Sequence, residues 1–271
     1  MRFITELSRK RVRDQFAACT HNHMMNGIAT MTNGWETSAD AWIADMGETG
    51  DFPRAHVLDD PMLARVSKSG ARVAVDLGCG EGRFSRMMRD EGLRVIGVDP
   101  TKALLTTAME RDPKGDYRSG KGQALPVADS SVDLVVSYLS LIDICDLEAT
   151  YDEIQRVLRP GGWLLVANLS SFATAIPDKD LTLGWLRKRG PGPEPFGCDD
   201  YHRERSYWIG WRGIRVRNYH RPLQGYMTPL LSRGFQLTHF HEPTPSGGPR
   251  DVAERFERAP MFLIMEWQKP G

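Results

Sequence analysis

Between Val75 and Gly82 the chain reads VDLGCGEG, which puts a carboxylate at the end of an apolar run and then glycines at 78, 80 and 82. Without Cβ atoms these positions let the backbone pass close to a ligand. A dinucleotide fingerprint, G-x-G-x-x-G, would need its third glycine at position 83, where Arg83 stands, and no G-x-x-x-x-G-K-[ST] phosphate loop is present. Asp76 beside the glycines suits an ammonium group better than a phosphate. A second acid, Asp99, closes the run VIGVDP, where a carboxylate can take both hydroxyls of a ribose. An amino acid joined to a nucleoside without phosphates describes S-adenosylmethionine.

Such groups need elements to position them, and the hydrophobic pattern supplies strands alternating with helices. Arg72–Leu77, Leu93–Val98, Val132–Ser137 and Trp163–Asn168 read as strands, and a fifth, short one near Asp116–Arg118 is inferred from its place. Arg83–Glu91, Lys102–Arg111 and Ala149–Leu158 read as helices between them. This alternation implies right-handed crossovers and a doubly wound α/β sheet. Upstream, Ala39–Met46 and Met62–Lys68 carry helical spacing, and residues 2–19 can form a short amphipathic helix. Residues 1–34 read as an extension and 35–271 as one domain. From about 170 to 224 the periodicity fails amid Gly, Pro and aromatic residues, and a loop region of that length is usually functional, here a cap or lid. Gly225–Leu231 and Asp251–Glu257 then read as helices, Phe235–Phe240 and Phe262–Trp267 as strands.

The 271 residues hold 35 basic and 35 acidic side chains, so the molecule as a whole attracts neither nucleic acid nor an anionic membrane, and recognition by charge must be local. The longest apolar stretch, Val132–Ile144, is interrupted by Asp133, Ser137, Ser140 and Asp143, far short of the ~20 apolar residues of a membrane span. The four cysteines show no CxxC pair and no metal-ligand spacing. The expectation is a cytoplasmic protein with no membrane partner and no metal.

The motifs DLGCGEGRFS (76–85), GVDPT (97–101), GQALPVADSSVDLVVS (122–137) and EIQRVLRPGGWLLVAN (153–168) stand in an order that resembles the class I S-adenosylmethionine-dependent methyltransferases. Within that family they are similar to the small-molecule branch of quinone and natural-product enzymes. The resemblance implies a Rossmann-like seven-stranded sheet with an antiparallel last strand, an N-terminal helical cover and an inserted cap. It implies S-adenosyl-L-methionine as methyl donor, S-adenosyl-L-homocysteine as product, and the following site. Asp76, Gly78 and Gly80 line the methionine moiety, and Asp99 binds the ribose with Thr101 flanking the adenosine. Gln123 and Ala124 face the adenine, Ser137 and Tyr138 sit under the sulfonium, and Trp35, with Trp42, closes over the cofactor. 

Methyl transfer from a sulfonium needs positioning and exclusion of water, plus a base where the acceptor must lose a proton. Ser137-Tyr138-Leu139-Ser140 stands where DNA and RNA amino-methylating enzymes carry an Asn/Asp-Pro-Pro-aromatic motif, so nucleic acid is not the expected acceptor. Residues 201–221 contain six Arg and one Glu together with aromatics, which suits a cap favouring a small aromatic or anionic molecule, or a β-hairpin with solvated arginines and a buried tryptophan face. His202 and His220 in this cap are the candidates for a general base, while Asp143 and Asp146 are read as caps of the next helix. Methylation at oxygen or nitrogen of a small molecule is the leading reading. An RNA or protein methyltransferase docking through 201–221, or a noncatalytic cofactor-binding subunit, are the alternatives, and the oligomeric state is left open.

Overall fold

The computed structural model describes residues 33–175, 185 and 191–271. The helix expected over residues 2–19 and nearly all of the 1–34 extension lie outside them. The described chain starts with α1 (Trp35–Met46), followed by a π-helical turn (Arg54–Leu58) that runs directly into α2 (Asp59–Ser69). α2 begins earlier than the apolar spacing predicts. Asp59 and Asp60 suit the positive end of the helix, and Pro61 falls in the first turn, where a missing N–H costs little. 

β1 (Val73–Leu77), α3 (Arg83–Asp90), β2 (Arg94–Asp99), α4 (Lys102–Arg111), β3 (Asp116–Ser119) and β4 (Val132–Tyr138) follow as expected from the alternation. A 3₁₀ turn (Leu141–Asp143) leads to α5 (Leu147–Val157) and the long β5 (Leu158–Leu169), and then to a one-turn α6 (Ser171–Thr174). The supposed loop region is partly regular, because β6 (Arg205–Trp211) and β7 (Ile214–His220) form an antiparallel hairpin. Its tight turn uses positive φ at Arg212 and Gly213, the geometry that matches the twist of a two-stranded ribbon. α7 (Leu223–Ser232), β8 (Gln236–His241), α8 (Arg250–Glu257) and β9 (Phe262–Gln268) complete the chain.

Seven strands form one sheet in the order β3-β2-β1-β4-β5-β9-β8, with β9 antiparallel to both neighbours. The order reverses between β1 and β4. Pairing of Leu77 with both Val98 and Ser137, and of Ser137 with Val166, aligns the carboxyl ends of β1, β2, β4 and β5 along one edge, the edge where open α/β sheets bind ligands. 

Strands covered on both faces need apolar residues at nearly every position, and the alternation sorts them cleanly. Val75, Leu77, Val135 and Val166 pack with Tyr151, Ile154 and Tyr226 under α5 and α7. Ala74, Leu134, Val136 and Leu165 pack with Met62, Val66 and Met88 under α2 and α3. Each such side chain taken fully out of water stabilises the fold by about 1.5–3 kcal/mol. Ser137 and Asn168 continue the first face as polar residues with no exposed surface, so that face ends in chemistry rather than in packing. Among the described residues, no helix is long and apolar enough to cross a membrane.

Candidate functional site

All three glycines of the loop after β1 adopt positive φ, between 56° and 78°, but their surroundings differ. A Cβ on Gly78 would meet Ser140 Cβ at 2.4 Å, and one on Gly82 would meet the Tyr117 hydroxyl at 2.6 Å. One on Gly80 would have only Trp42 Nε1 near it, at 3.9 Å. Gly78 and Gly82 therefore seat the loop against its neighbours, and Gly80 is where the loop leaves room.

Carboxylates gather around that room. Asp76 is buried and accepts a hydrogen bond from Ser85 Oγ at 2.6 Å. Burial first, then the charges of Asp99 and Glu81, push its carboxyl up to about 7 against the Ser85 hydrogen bond. Asp99 accepts from the backbone N–H of Thr101 at 2.8 Å and of Gly80 at 3.0 Å, one on each oxygen. This ties the end of β2 to the glycine loop, and the Thr101 side chain also bonds the carboxylate, which leaves it part of its acceptor capacity. Burial raises the Asp99 carboxyl above its ordinary range despite these donors. Glu81 accepts from Trp42 Nε1 at 3.3 Å, while its Oε1 is buried without a hydrogen-bond partner and lies 3.9 Å from Arg111.

A further acid, which the sequence pattern assigned to helix capping, joins this group. Asp146 does cap α5, accepting from the Ala149 N–H at 3.0 Å. Asp143 does not cap it. It closes the 3₁₀ turn after β4, accepting from Trp35 Nε1 at 3.2 Å and from the side-chain amide of Asn218 on β7. Burial, and then the charge of Asp99, push its carboxyl up to about 7 against those two hydrogen bonds. The signal in the sequence was spacing, since Asp146 stands directly before Leu147 and three residues before the Ala149 N–H that an N-cap receives, which leaves Asp143 without that role.

α1 lies between the glycine loop and the hairpin. Trp42 and Trp35 meet edge to face at 5.0 Å, and the Arg54 guanidinium stacks 4.7 Å over Trp42 while pairing with Asp51 at 2.9 Å. Ser38 bonds both the N–H and the carbonyl of Arg215, and Asp45 pairs with Arg212. The helical cover and the cap are thus one packed unit over the sheet edge.

The remaining expected residues are placed unevenly. Thr101 is buried beside Asp99. Gln123 is half-buried and donates to the Asp146 carbonyl at 3.4 Å, whereas Ala124 is exposed. Ser137 Oγ lies 2.7 Å from Ser140 Oγ, which in turn donates to the Leu77 carbonyl. Tyr138 departs from the expectation. Alternation along β4 turns it to the opposite face, where its ring meets Phe84 and its hydroxyl donates to Asp59 at 2.7 Å. 

Neither cap histidine reaches this group. His220 is fully buried with Nε2 2.8 Å from the Tyr201 carbonyl and Nδ1 2.8 Å from Thr174 Oγ1. A carbonyl only accepts, so Nε2 carries the proton and Nδ1 accepts from the threonine, leaving no nitrogen for a substrate. Burial also lowers its tendency to protonate. His202 is exposed, edge-on to the Tyr201 ring at 5.3 Å. The arginine surplus is also dispersed. Arg203 pairs with Asp200, Arg205 donates to backbone carbonyls, and Arg221 donates to the carbonyls of Ile144 and Cys145. Arg215 and Arg217 stack on Trp208, which is half-buried, while Trp211 on the other face of the hairpin packs edge to face with Trp42. A cavity of about 500 Å³ bounded by α3 and the end of α4 is lined by Arg89 and Asp112, already paired with each other, and by Arg111, which lies 3.9 Å from Glu81.

Residues 75–166 match the family described as a methyltransferase domain. The chain is 37% identical over 110 residues to a malonyl-[acyl-carrier protein] O-methyltransferase of Serratia marcescens, covering 41% of this chain and 43% of that protein. It is 30% identical over 188 residues to the enzyme of the same name from Enterobacter lignolyticus, covering 68% and 72%. The chain spans about half the length of most of the curated relatives it matches. In three dimensions it resembles an S-adenosylmethionine dependent methyltransferase from Mesorhizobium loti, with a TM-score of 0.63, 25% identity, and coverage of 77% of this chain and 96% of that one. Sheet order, motif order and the extent of the Enterobacter match agree, and the chain belongs to the class I S-adenosylmethionine-dependent methyltransferases.

Proposed function

We propose that the chain transfers a methyl group from S-adenosylmethionine to oxygen or nitrogen of a small molecule. The observation that carries this reading is the set of Asp76, Asp99 and Asp143, three carboxyls raised by burial around the open space at Gly80. The cation beside them, Arg54, is already paired with Asp51. Acids gathered in this way disfavour one another's ionised forms and favour a ligand that brings positive charge. S-adenosylmethionine brings two such charges, an ammonium and a sulfonium, and Glu81 Oε1, which accepts no hydrogen bond and has only Arg111 at 3.9 Å, is one more acceptor for it.

When bound, S-adenosylmethionine supplies an activated methyl. The chain's part is orientation and exclusion of water. Asp99 would hold the ribose through the acceptor capacity that Gly80 and Thr101 leave it, Gly80 would let the ligand approach the loop, and Trp35 and Trp42 on α1 would cover it. Malonyl-[acyl-carrier protein] O-methyltransferases among the relatives support an oxygen acceptor. Titration calorimetry tests the reading. S-adenosylmethionine is expected to bind, and Asp99→Ala to weaken it by about 1.5–3 kcal/mol, the range for hydrogen bonds to a charged group. Unchanged affinity in the variant would sink the ribose assignment.

A further inference from the structure

Methyl-donor binding uses only the charge of Asp143, and two unpartnered polar groups lie on strands around its turn, one on β5, which packs against the turn, and one on β6, which pairs with β7. Asp143 is half-buried in the turn after β4, which packs against both β5 and β7. From β6, Tyr207 brings a hydroxyl that is buried without a partner and feels the charge of Asp143. At the carboxyl end of β5, Asn168 has no exposed surface and neither amide atom has a partner. Buried polar groups are normally satisfied, and leaving one unpaired costs about 1–3 kcal/mol. Such groups beside an acid mark a place for a polar ligand. We infer that Asp143 is the proton acceptor for the molecule to be methylated, that this molecule presents a neutral hydroxyl, and that Tyr207 and Asn168 receive its remaining polar atoms. The inference rests on the methyl-transfer reading of the same site.

The charges facing Asp143 select this class of acceptor. They are Asp99 from the end of β2 and Arg54 from the π-helical turn, with Tyr207 and Asn218 from the hairpin and Trp35 from α1. An anionic acceptor would be repelled by two carboxylates; of the cap arginines, Arg203, Arg205 and Arg212 are tied elsewhere and Arg215 and Arg217 stack on Trp208, which leaves Arg221, held by the Ile144 and Cys145 carbonyls with Nη1 lacking a hydrogen-bond partner, as the one cap cation beside this turn among the described residues. An amine would be held in its protonated form by the adjacent acids and would have no lone pair to attack with. A hydroxyl keeps its lone pairs and loses its proton as it reacts. In that step the oxygen–carbon bond forms, the carbon–sulfur bond breaks with its electron pair passing to sulfur, and the hydroxyl proton passes to the Asp143 carboxylate. Trp35 and Asn218 each donate to that carboxylate and fix its direction.

The test uses the full chain, S-adenosylmethionine and two phenols as probes. One is 4-methoxyphenol, which is neutral near neutral pH, and the other is 4-nitrophenol, which is largely ionised at mildly alkaline pH and needs no base. The readout is the ratio of methylation rates, nitro over methoxy. Asp143→Asn is expected to raise this ratio about 100-fold, the scale of general-base assistance, and Asp143→Glu to bring it back toward the wild-type value. A purely structural role would lower both rates together and leave the ratio unchanged, which would overturn the inference. Calorimetric binding of S-adenosylhomocysteine reports separately that each variant is folded, and Asp143→Ser is a second neutral replacement read in the same way. Failure of wild type to methylate either phenol while binding S-adenosylmethionine overturns the hydroxyl assignment alone. Failure to bind S-adenosylmethionine overturns the reading beneath it.

Discussion

If the raised carboxyls exist to meet a cation, binding of that cation must expel protons. In the free protein Asp76 and Asp143 take up a proton at about pH 7, so below that pH each is mostly neutral. A unit positive charge seated about 5 Å from a carboxylate, at an effective dielectric of about 20, is worth about 3 kcal/mol, or a little over two pKa units. The carboxyl in the complex would then ionise below about pH 5. Because the bound form holds fewer protons than the free form between these values, affinity falls as pH falls, by about 20-fold for one such group between about pH 7.5 and 5.5. S-adenosylhomocysteine lacks the sulfonium charge and keeps the ammonium, so its affinity should fall less. Calorimetry in two buffers of different ionisation enthalpy, at about pH 6, would show about one proton released per coupled carboxyl with S-adenosylmethionine. Equal pH slopes for the two ligands, or no proton release, would refute the charge argument even if both ligands bound.

Two other substitutions separate packing from binding. Gly78→Ala and Gly80→Ala share the strain of a left-handed side chain, about 1–2 kcal/mol. Gly78→Ala adds the collision with Ser140, about 1–3 kcal/mol more. Thermal melting should therefore fall further for Gly78→Ala, while Gly80→Ala should weaken S-adenosylmethionine binding out of proportion to its effect on stability. His220→Ala strips partners from Thr174 and the Tyr201 carbonyl and should cost about 1–3 kcal/mol in chemical denaturation. It should leave the pH dependence of the rate where it was, since a proton-accepting histidine would shift it.

The strands and the glycine loop were legible because they obey local rules. Apolar runs that stop at Asp76 and Asp99 are strands whatever surrounds them, and a helix must follow if the next strand is to lie parallel. The hairpin was harder to read, because Arg212-Gly213 is a weaker turn signal than Asn-Gly and, although Ile214 to Arg217 alternate, Tyr207-Trp208-Ile209 on the other strand stand apolar in a row. What could not be read was direction across space. Tyr138 and Ser137 are neighbours in sequence, yet the pleat sends one to Asp59 and the other to Ser140. His220 had the right chemistry for a base, and only the packing of α6 against β7 reveals that both its nitrogens are used. Asp143 was passed over because its partners, Trp35 and Asn218, lie far from it along the chain.

That distance bears on how the molecule is made. The Asp143 carboxylate joins a residue 108 positions before it to one 75 positions after it, whereas β1 pairs with β2 (Val73 with Arg94) and β4 with β5 (Leu134 with Trp163) across much shorter stretches of chain. Closing long loops costs entropy that only already-formed surfaces can offset, with about 0.6 kcal/mol more for each doubling of length. The sheet from Val73 to Leu169 can therefore condense first and serve as the template on which α1 and the hairpin meet. Order of assembly then runs from scaffold to site: the carboxylate finds its two donors last, and in the native protein this junction is among the first to open as the chain breathes.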